Sequence, residues 1–561
     1  MAFQMSPGVL VTERDLTNIV PAVSTSVGAF AGTFAWGPVM DPVLISSENE
    51  LVSIFGKPKD GNFTSFLTAA NFLSYSNALY VCRVKGSSAV NAVVSGAALA
   101  IDNRDVYDTT YANGQASVGE FAAKYPGVLG NSIRVSLSDA GTHSTWDYKD
   151  EFDSAPGTST FTSNAGGSSD ELHVIVIDEL GLISGVKGSI LEKFPYLSKA
   201  SNAKKSDGTN NYYKDVLNDT SKFVYWMDHP VAGTNWGTPA AGVTFTNLAS
   251  DIDAVLVGGV DDLSPSDGNI QNAFKLFDNS EMYDISLIMT GAVNPTVAKY
   301  VVNSVVDSRK DCLAFLSPST VTAGVITGVD SATVLASTVD YRVTALNVNS
   351  SYAVLDSGWK YQYDRYNDKY RWVPLNGDIA GLYARTDYTN DAWWSPGGFN
   401  RGQIKNVVKL SFNPNQAQRD QLYKNGVNPV VSFPGQGSVL YGDKTLLTKP
   451  SAFDRINVRR LFIVLEKAIA TAAKYTLFEF NDSFTRAQFK SMVEPFLRDV
   501  QGRRGIIDFR VVCDETNNTG EVIDRNEFVG DIFIKPTRSI NYITLNFIAA
   551  RTAVSFDEIG G

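Results

Sequence analysis

Three cysteines, Cys82, Cys312 and Cys513, are all that the 561 residues carry, and they stand about two hundred residues apart. That excludes a disulfide framework and a thiolate metal cluster, and it points to assembly in a reducing cytoplasm. Histidine is equally scarce. His143, His173 and His229 form no His-x-x-x-His pair and read as surface or locally bonded side chains, so no metal is expected. There is no G-x-S-x-G elbow, so hydrolase chemistry has no visible nucleophile. Long apolar runs are missing too. The most continuous stretch, Ser88 to Ile101, holds Asn91, and the opening MAFQMSPGVLVTERD lacks the basic and apolar regions of a signal peptide. The expectation is a chain that neither spans a membrane nor is exported by such a peptide. A basic excess is also absent: 48 Lys and Arg against 59 Asp and Glu give a net charge of −11, which argues against whole-chain nucleic-acid binding.

The remaining motifs each have a bland reading that outweighs the functional one. Gly437-Ser-Val-Leu-Tyr-Gly442-Asp443-Lys444-Thr445 looks like a phosphate loop, but Asp443 displaces the lysine and sets a carboxylate where phosphates would lie. A strand and turn is the better reading, and no nucleotide or other cofactor is expected. Gly258-Gly259 lacks the third glycine of a dinucleotide fingerprint. In GWKYQYDRYNDKYRW, Trp359, Tyr361, Tyr363, Tyr366, Tyr370 and Trp372 interleave with Lys360, Arg365, Lys369 and Arg371. That pattern suits single-stranded nucleic acid, but Asn367-Asp368 between two aromatic runs favours a β-hairpin. Asp261, Asp262 and Asp267 lack the twelfth-position Glu of a calcium loop and read as solvated.

What the chain does have is size and alternation. Its length is about four times the commonest domain, so several units are expected. Residues 252–318 alternate short apolar strands with amphipathic helices, and Asn294-Pro295 forms a helix start ahead of Val297, Val301, Val302 and Val305. This predicts a parallel sheet flanked by helices. From 86 to 238 the sequence loosens into Gly/Ser/Asn-rich connectors between strand-like segments, the pattern of a β-rich surface insertion. From 396 onward a mixed unit is expected, with one helix through RINVRRLFIVLEKAIATAAKYTLF and a second opened by Thr485 and Gln488. In that second helix Phe489, Met492, Val493, Phe496, Leu497 and Val500 share one face, and Pro495 is expected to kink it. Strands are expected in GIIDFRVVCD, EFVGDIFIKP and SINYITLNFIAA. Residues 401–561 carry 22 basic against 17 acidic residues, a net of +5, leaving −16 for the first 400. GVLVTE and TAVSFDEI, near the two ends, are strand-like segments without a neighbouring partner, and unpaired strands seek an edge elsewhere.

Several segments in order, SPGVLVTERD, VSTSVGAFAGTFAWGPVMDPVLISSENELVSIFG, YPGVLGNSIRVSL, VPLNGDIAGLYARTDYTNDAWWSPGGFNRGQI, PGQGSVLYGDKTLL and IKPTRSINYITLNFIAARTAV, together resemble the contractile tail-sheath proteins of tailed bacteriophages and related injection machines. The resemblance implies a multi-domain α/β and α+β chain. Its parts would be an N-terminal arm (1–20), a non-catalytic subtilisin-like α/β middle domain (21–85 plus 239–395), a β-rich outer insertion (86–238), an α+β assembly domain (396–549) and a C-terminal arm (550–561). It implies a structural virion component, assembled in the host cytoplasm, with no enzyme activity. Such a subunit forms six-fold rings stacked helically around a tail tube, meets baseplate and tail terminator proteins, and contracts to deliver the genome. By β-augmentation the arms, through Val9, Val11, Thr12, Val554 and Phe556, are expected to enter a neighbour's sheet. The basic C-terminal unit is expected to meet the tube through Arg455, Arg459, Arg460, Arg503 or Arg504, the alternative being a solvated helix face. The rival reading is a hydrolase or nucleotide-binding enzyme on the α/β unit.

Overall fold

The computed structural model describes residues 24–230, 235–319 and 330–544. Two units emerge: a larger one of 24–390 with 396–454, and a smaller one that holds, among the described residues, 391–395 and 455–544. The sequence boundary at 396 is thereby moved to about 455. The reason is a strand: Val427–Asn428 pairs with the central sheet of the larger unit, which keeps its surroundings there.

In chain order the larger unit opens with β1 (Gly28–Thr33), β2 (Val43–Ile45), helix α1 (Phe63–Leu73) and β3 (Leu79–Val84). The insertion follows, with β4 (Ile133–Asp139), β5 (Glu171–Asp178), β6 (Ser189–Ser198) and β7 (Ile252–Val255). The chain then returns through helix α2 (Asp267–Lys275), β8 (Leu287–Met289), β9 (Leu313–Leu316), β10 (Ala353–Asp356), the hairpin β11 (Trp359–Asp364) and β12 (Lys369–Pro374), helix α3 (Asn376–Thr389) and β13 (Val427–Asn428).

The central sheet has the order β13-β10-β9-β8-β1-β3-β2, parallel throughout except for β2. Strands such as LAFL and LIM are buried along their whole length, as a sheet covered on both faces requires. The expected helix start at Asn294 is present: its side chain accepts from the Val297 amide at 3.0 Å, with Pro295 in the first turn. Val297, Val301, Val302 and Val305 enter the core with Val306, because the helix widens to a π-helical stretch over Val301–Val306.

The insertion forms an antiparallel sheet of order β6-β5-β4-β7. Alternation buries Val135, Leu137, Val174 and Val176 on one face and Ile175 and Ile177, under Trp146, on the other. Its far boundary is nearer 262 than 238, because β7 pairs with β4 and the Gly86 amide donates to the Asp262 carbonyl at 2.9 Å. Nor is it loosely attached. Ala35 and Trp36, from just after β1, share its core, with the Trp36 and Tyr125 rings 5.5 Å apart.

The smaller unit consists of helices α4 (Ile456–Ala473) and α5 (Ser483–Gly502) and the antiparallel ribbon β14 (Ile506–Val512) with β15 (Asp531–Pro536). The expected face of α5 is confirmed, with Phe489, Met492, Val493, Leu497 and Val500 buried against α4 and the ribbon. The helix runs through Pro495. Its cap is Asp482, which accepts from the Thr485 amide at 2.8 Å, and not Thr485 with Gln488. Helix α4 stops at Ala473, short of the expected end.

Candidate assembly surface

In an open parallel sheet, ligands bind outside the carboxyl ends of the strands where the strand order reverses. Here that position, beyond β1 and β8, is filled by the chain itself. Asn376, at the start of α3, exchanges both amide hydrogen bonds with Gly291: Nδ2 donates to the carbonyl at 2.9 Å and the Gly291 amide donates to Oδ1 at 3.1 Å. The Asn376 backbone also donates to Ser317 Oγ, which donates in turn to Asp356 Oδ2 at 2.6 Å. Beside this network, Lys360 Nζ donates to Asp378 Oδ1 at 2.9 Å and to the Lys405 carbonyl, and Tyr75 also donates to Asp378.

Burial pushes the Asp356 carboxyl up to about 8. It likewise raises Asp378 and lowers Lys360. Shifted carboxyls beside a lysine are the kind of group an enzyme uses. These, however, are sealed, with Asp356, Asp378 and Lys360 all exposed by 1% or less, so no substrate reaches them.

The sequence motifs resolve as structure. In the phosphate-loop look-alike, Gly437–Leu440 is a strand, Lys444 Nζ is tied to the Tyr423 carbonyl at 2.8 Å, and Asp443 accepts from the Tyr423 hydroxyl. The aromatic segment is the expected hairpin, with Tyr361 stacked on Tyr370 across the strands. His173 lies between the Ser154 carbonyl and the Tyr196 amide, and His229 meets the Tyr213 hydroxyl. His143 comes within 5.8 Å of the His173 ring, ring centre to ring centre, a proximity the sequence did not disclose. The acidic loop is bonded to protein donors: Asp261 takes Lys59 Nζ and the Val128 amide, Asp262 takes Ser88, and Asp267 takes Asn294 Nδ2. Among the described residues no group of His, Cys, Asp and Glu is arranged to hold a metal ion, and no helix is long and apolar enough to cross a membrane.

The open surface lies on the smaller unit. One face of the β14–β15 ribbon, through Phe509, Val511, Ile532 and Ile534, packs into the helical core; Ile507 and Phe533 are exposed. A two-stranded ribbon is marginal alone and, among the described residues, both outer edges lack a paired strand. Beyond it, where SINYITLNFIAA predicts a third strand, residues 537–544 are irregular and Ile540, Tyr542 and Ile543 are each more than three-quarters exposed. The remainder of that segment lies outside the described residues, as do Val9, Val11, Thr12, Val554 and Phe556 and both arms. Between α4 and α5, Tyr475, Leu477, Phe478 and Phe480 project into solvent, as does Phe484 in the first turn of α5, with Phe478 at φ +69°. The sequence pattern places Tyr475, Leu477 and Phe478 in the preceding helix. Their crowding within ten residues was the available signal of a contact surface.

The five arginines separate. Arg459 and Arg460 are buried near the start of α4, at 7% and 4% exposure, and so do not form a solvated helix face. Arg455 is half-buried, and Arg503 and Arg504 are exposed where α5 ends. Arg503 pairs with Asp391 at 2.7 Å and with Asp499 at 2.8 Å, and its guanidinium lies 5.1 Å from the Trp393 ring centre.

Three family models match the chain: the N-terminal region of tail sheath protein Gp18 domain III at 25–84, the phage tail sheath protein central domain at 269–446, and the phage tail sheath C-terminal domain at 448–550. The matches flank the insertion and divide close to the observed unit boundary. Curated relatives include the tail sheath proteins of Vibrio phage KVP40, 35% identical over 99% of this chain and 100% of the relative, and of Enterobacteria phage T4, 33% identical over 99% of each. Among solved structures the fold is similar to a sheath tail protein from Listeria innocua, with TM-score 0.54 and 12% identity over 92% of this chain and 96% of that one. A sheath tail protein from Desulfitobacterium hafniense gives TM-score 0.52 and 11% identity over 94% and 100%. With matches of this identity running from end to end, the chain belongs to the phage tail sheath protein family.

Proposed function

We infer that this chain is the structural subunit of a contractile tail sheath. It polymerises as helically stacked six-fold rings around a tail tube and contracts to drive the tube through the host envelope during genome delivery. The observation that carries this reading is the end-to-end similarity to curated tail sheath proteins. The filled switch point supports a structural role over an enzymatic one, since the place where an α/β enzyme would bind its ligand is taken by Asn376.

In this reading the β14–β15 ribbon is the acceptor. Arms of neighbouring copies, through Val9, Val11 and Thr12 or Val554 and Phe556, add strands to its edges, and such main-chain pairing survives while rigid units rotate. The middle domain is a non-catalytic relative of subtilisin, a reading supported by its largely parallel sheet, and the insertion faces outward. Arg503 and Arg504, with Arg455, face the tube protein; baseplate and terminator proteins cap the two ends of a polymer assembled in the host cytoplasm and carried in the virion.

Electron microscopy of the purified full chain tests the reading: tubes or rings are expected, and a monomer at every concentration and salt would refute it. Chains lacking 1–16 or 550–561 should stay soluble and melt cooperatively without forming tubes. Normal polymerisation after both deletions would remove the arms from the mechanism. Assembly of the unmodified chain on tube should weaken as salt rises, and charge reversal at Arg503 with Arg504 should favour tube-free polymers.

A further inference from the structure

At one end of the insertion sheet three charged side chains gather out of reach of solvent. Asp139 closes β4, Lys199 follows directly on β6, and Asp170 precedes β5, the strand that lies between them. All three are completely buried. Lys199 Nζ donates to Asp139 Oδ2 at 2.7 Å, to the Ser169 carbonyl at 3.1 Å and to the Thr246 carbonyl at 3.2 Å, and it lies 4.8 Å from the Trp236 ring centre. The two oxygens of Asp139 have separate backbone donors, the Gly141 amide on Oδ1 at 2.9 Å and the Leu248 amide on Oδ2 at 2.8 Å. Ser169 stands at φ +60°, in the left-handed region that a serine rarely adopts. Asp170 accepts from Ser159 and Ser198, and its charge also acts on Lys199.

A buried ion pair is costly to desolvate and is often no more stable than a neutral replacement. This one can become neutral within its own contacts. When a proton passes from Nζ to Oδ2, the amine keeps two N–H groups for the Ser169 and Thr246 carbonyls, and the lone pair it gains faces the Asp139 carboxyl along the former hydrogen bond. Burial lowers the Lys199 pKa against the opposing pull of Asp139 and Asp170, in the direction of the free amine. Oδ1, with the Gly141 amide on it, is placed to carry negative charge while Nζ bonds to Cγ. Groups held in contact react as though at an effective concentration on the order of 10⁵ M or more. The other buried lysine pair is arranged differently, since Lys360 and Tyr75 both donate to one oxygen of Asp378, Oδ1.

We propose that Lys199 and Asp139 condense, on the chain's own groups alone, to an isopeptide bond that staples the end of β4 to the end of β6 across β5. The step balances: Nζ bonds to Cγ, the two protons that the ammonium gives up go to Oδ2, the Cγ–Oδ2 bond breaks, and Oδ2 leaves as water. Nothing is oxidised or reduced. The water forms where the Leu248 amide already donates. The product is an uncharged amide whose single N–H serves the Ser169 carbonyl, while the Thr246 carbonyl keeps Trp236 Nε1 at 2.9 Å and Oδ1 keeps the Gly141 amide. The staple joins residues 60 positions apart and encloses all of β5 and β6, so it restricts the unfolded insertion and resists unzipping of its sheet. It stands whether or not the chain polymerises.

The test is the intact mass of the purified full chain, folded under native conditions and denatured only for the measurement. The wild type should be lighter than its sequence by one water. A tryptic digest should contain residues 194–204 joined to 135–149, uncut after Lys199. K199R keeps the positive charge but offers a guanidinium that stays protonated, and D139A removes the carboxyl, so both variants should have their full sequence mass. Wild-type chain collected and kept in urea should also have the full mass and lose the water only after refolding, because the bond needs the folded site. A wild type that stays at full mass after prolonged storage in its folded state would overturn the proposal and leave an ion pair. So would a lost water that maps elsewhere, such as a succinimide at Asp139 with Lys199 still cut by trypsin. Should either variant fail to fold, the wild-type mass and digest decide by themselves.

Discussion

Lys360 Nζ and Asp378 Oδ1 meet at 2.9 Å with both side chains within 1% of complete burial, at the crossing of the β11–β12 hairpin and α3. Breaking one half of such a pair strands the other. Asp378→Asn should therefore cost about 3–5 kcal/mol, while Lys360→Met with Asp378→Leu should recover most of that loss. Urea unfolding followed by tryptophan fluorescence checks this. A single variant no less stable than the double one would show that the ammonium finds other compensation.

Asp356 gives a pH prediction whose sign is fixed. Burial holds its carboxyl at about 8, against an ordinary 3.8, so the folded chain keeps a proton that the unfolded chain releases. This contribution to stability is complete below pH 3.8 and disappears as the pH rises to about 8. Asp356→Asn removes the titration, so the variant should lose less stability than the wild type between pH 5 and pH 8, whatever its offset from losing an acceptor for Ser317. Parallel slopes in urea denaturation across that range would contradict the assignment.

Arg83 is fully buried and donates to three carbonyls, Phe34 at 3.1 Å, Gly37 at 2.8 Å and Pro126 at 2.7 Å. It thereby clips the entry of the insertion to the end of β1, and burial pulls its pKa down to about 10. Replacing it by Met keeps bulk but leaves three acceptors without donors, each worth about 1–3 kcal/mol when buried. Arg83→Met should lower the midpoint of the larger unit sharply and raise proteolysis near Pro126. Little change in either would mean that water replaces the guanidinium.

The insertion should be removable at the positions the structure picks out. Because Gly86 and Asp262 are hydrogen-bonded to each other, a short Gly/Ser bridge between them spares β3 and α2, whereas a cut at 238 strips β7 from its sheet. Excision uncovers Trp36, so the trimmed chain should need Trp36→Ser to stay soluble. A cooperative melt of that variant is the expected result. Collapse of the whole chain, even with the tryptophan replaced, would make the insertion part of one core.

What was legible along the chain was what local pattern dictates. The Asn294-Pro295 helix start, the uninterrupted apolar strands of the parallel sheet, the one-sided face of α5 and the turn at Asn367-Asp368 are each set by neighbours a few residues away. Resemblance carried the family over the full length for a related reason: the hallmark segments are short and contiguous. Tertiary structure alone decided what depends on distant partners. A two-residue strand, Val427–Asn428, moved the unit boundary by some sixty residues because it pairs with Leu355 and Asp356. Arg459 and Arg460 looked like a charged surface, but in α4 they are buried, since a helix turns its polar residues inward wherever the fold covers that face. Arg385 at the end of α3 and Arg401, sixteen residues on, line one cavity only because the chain returns there after α3.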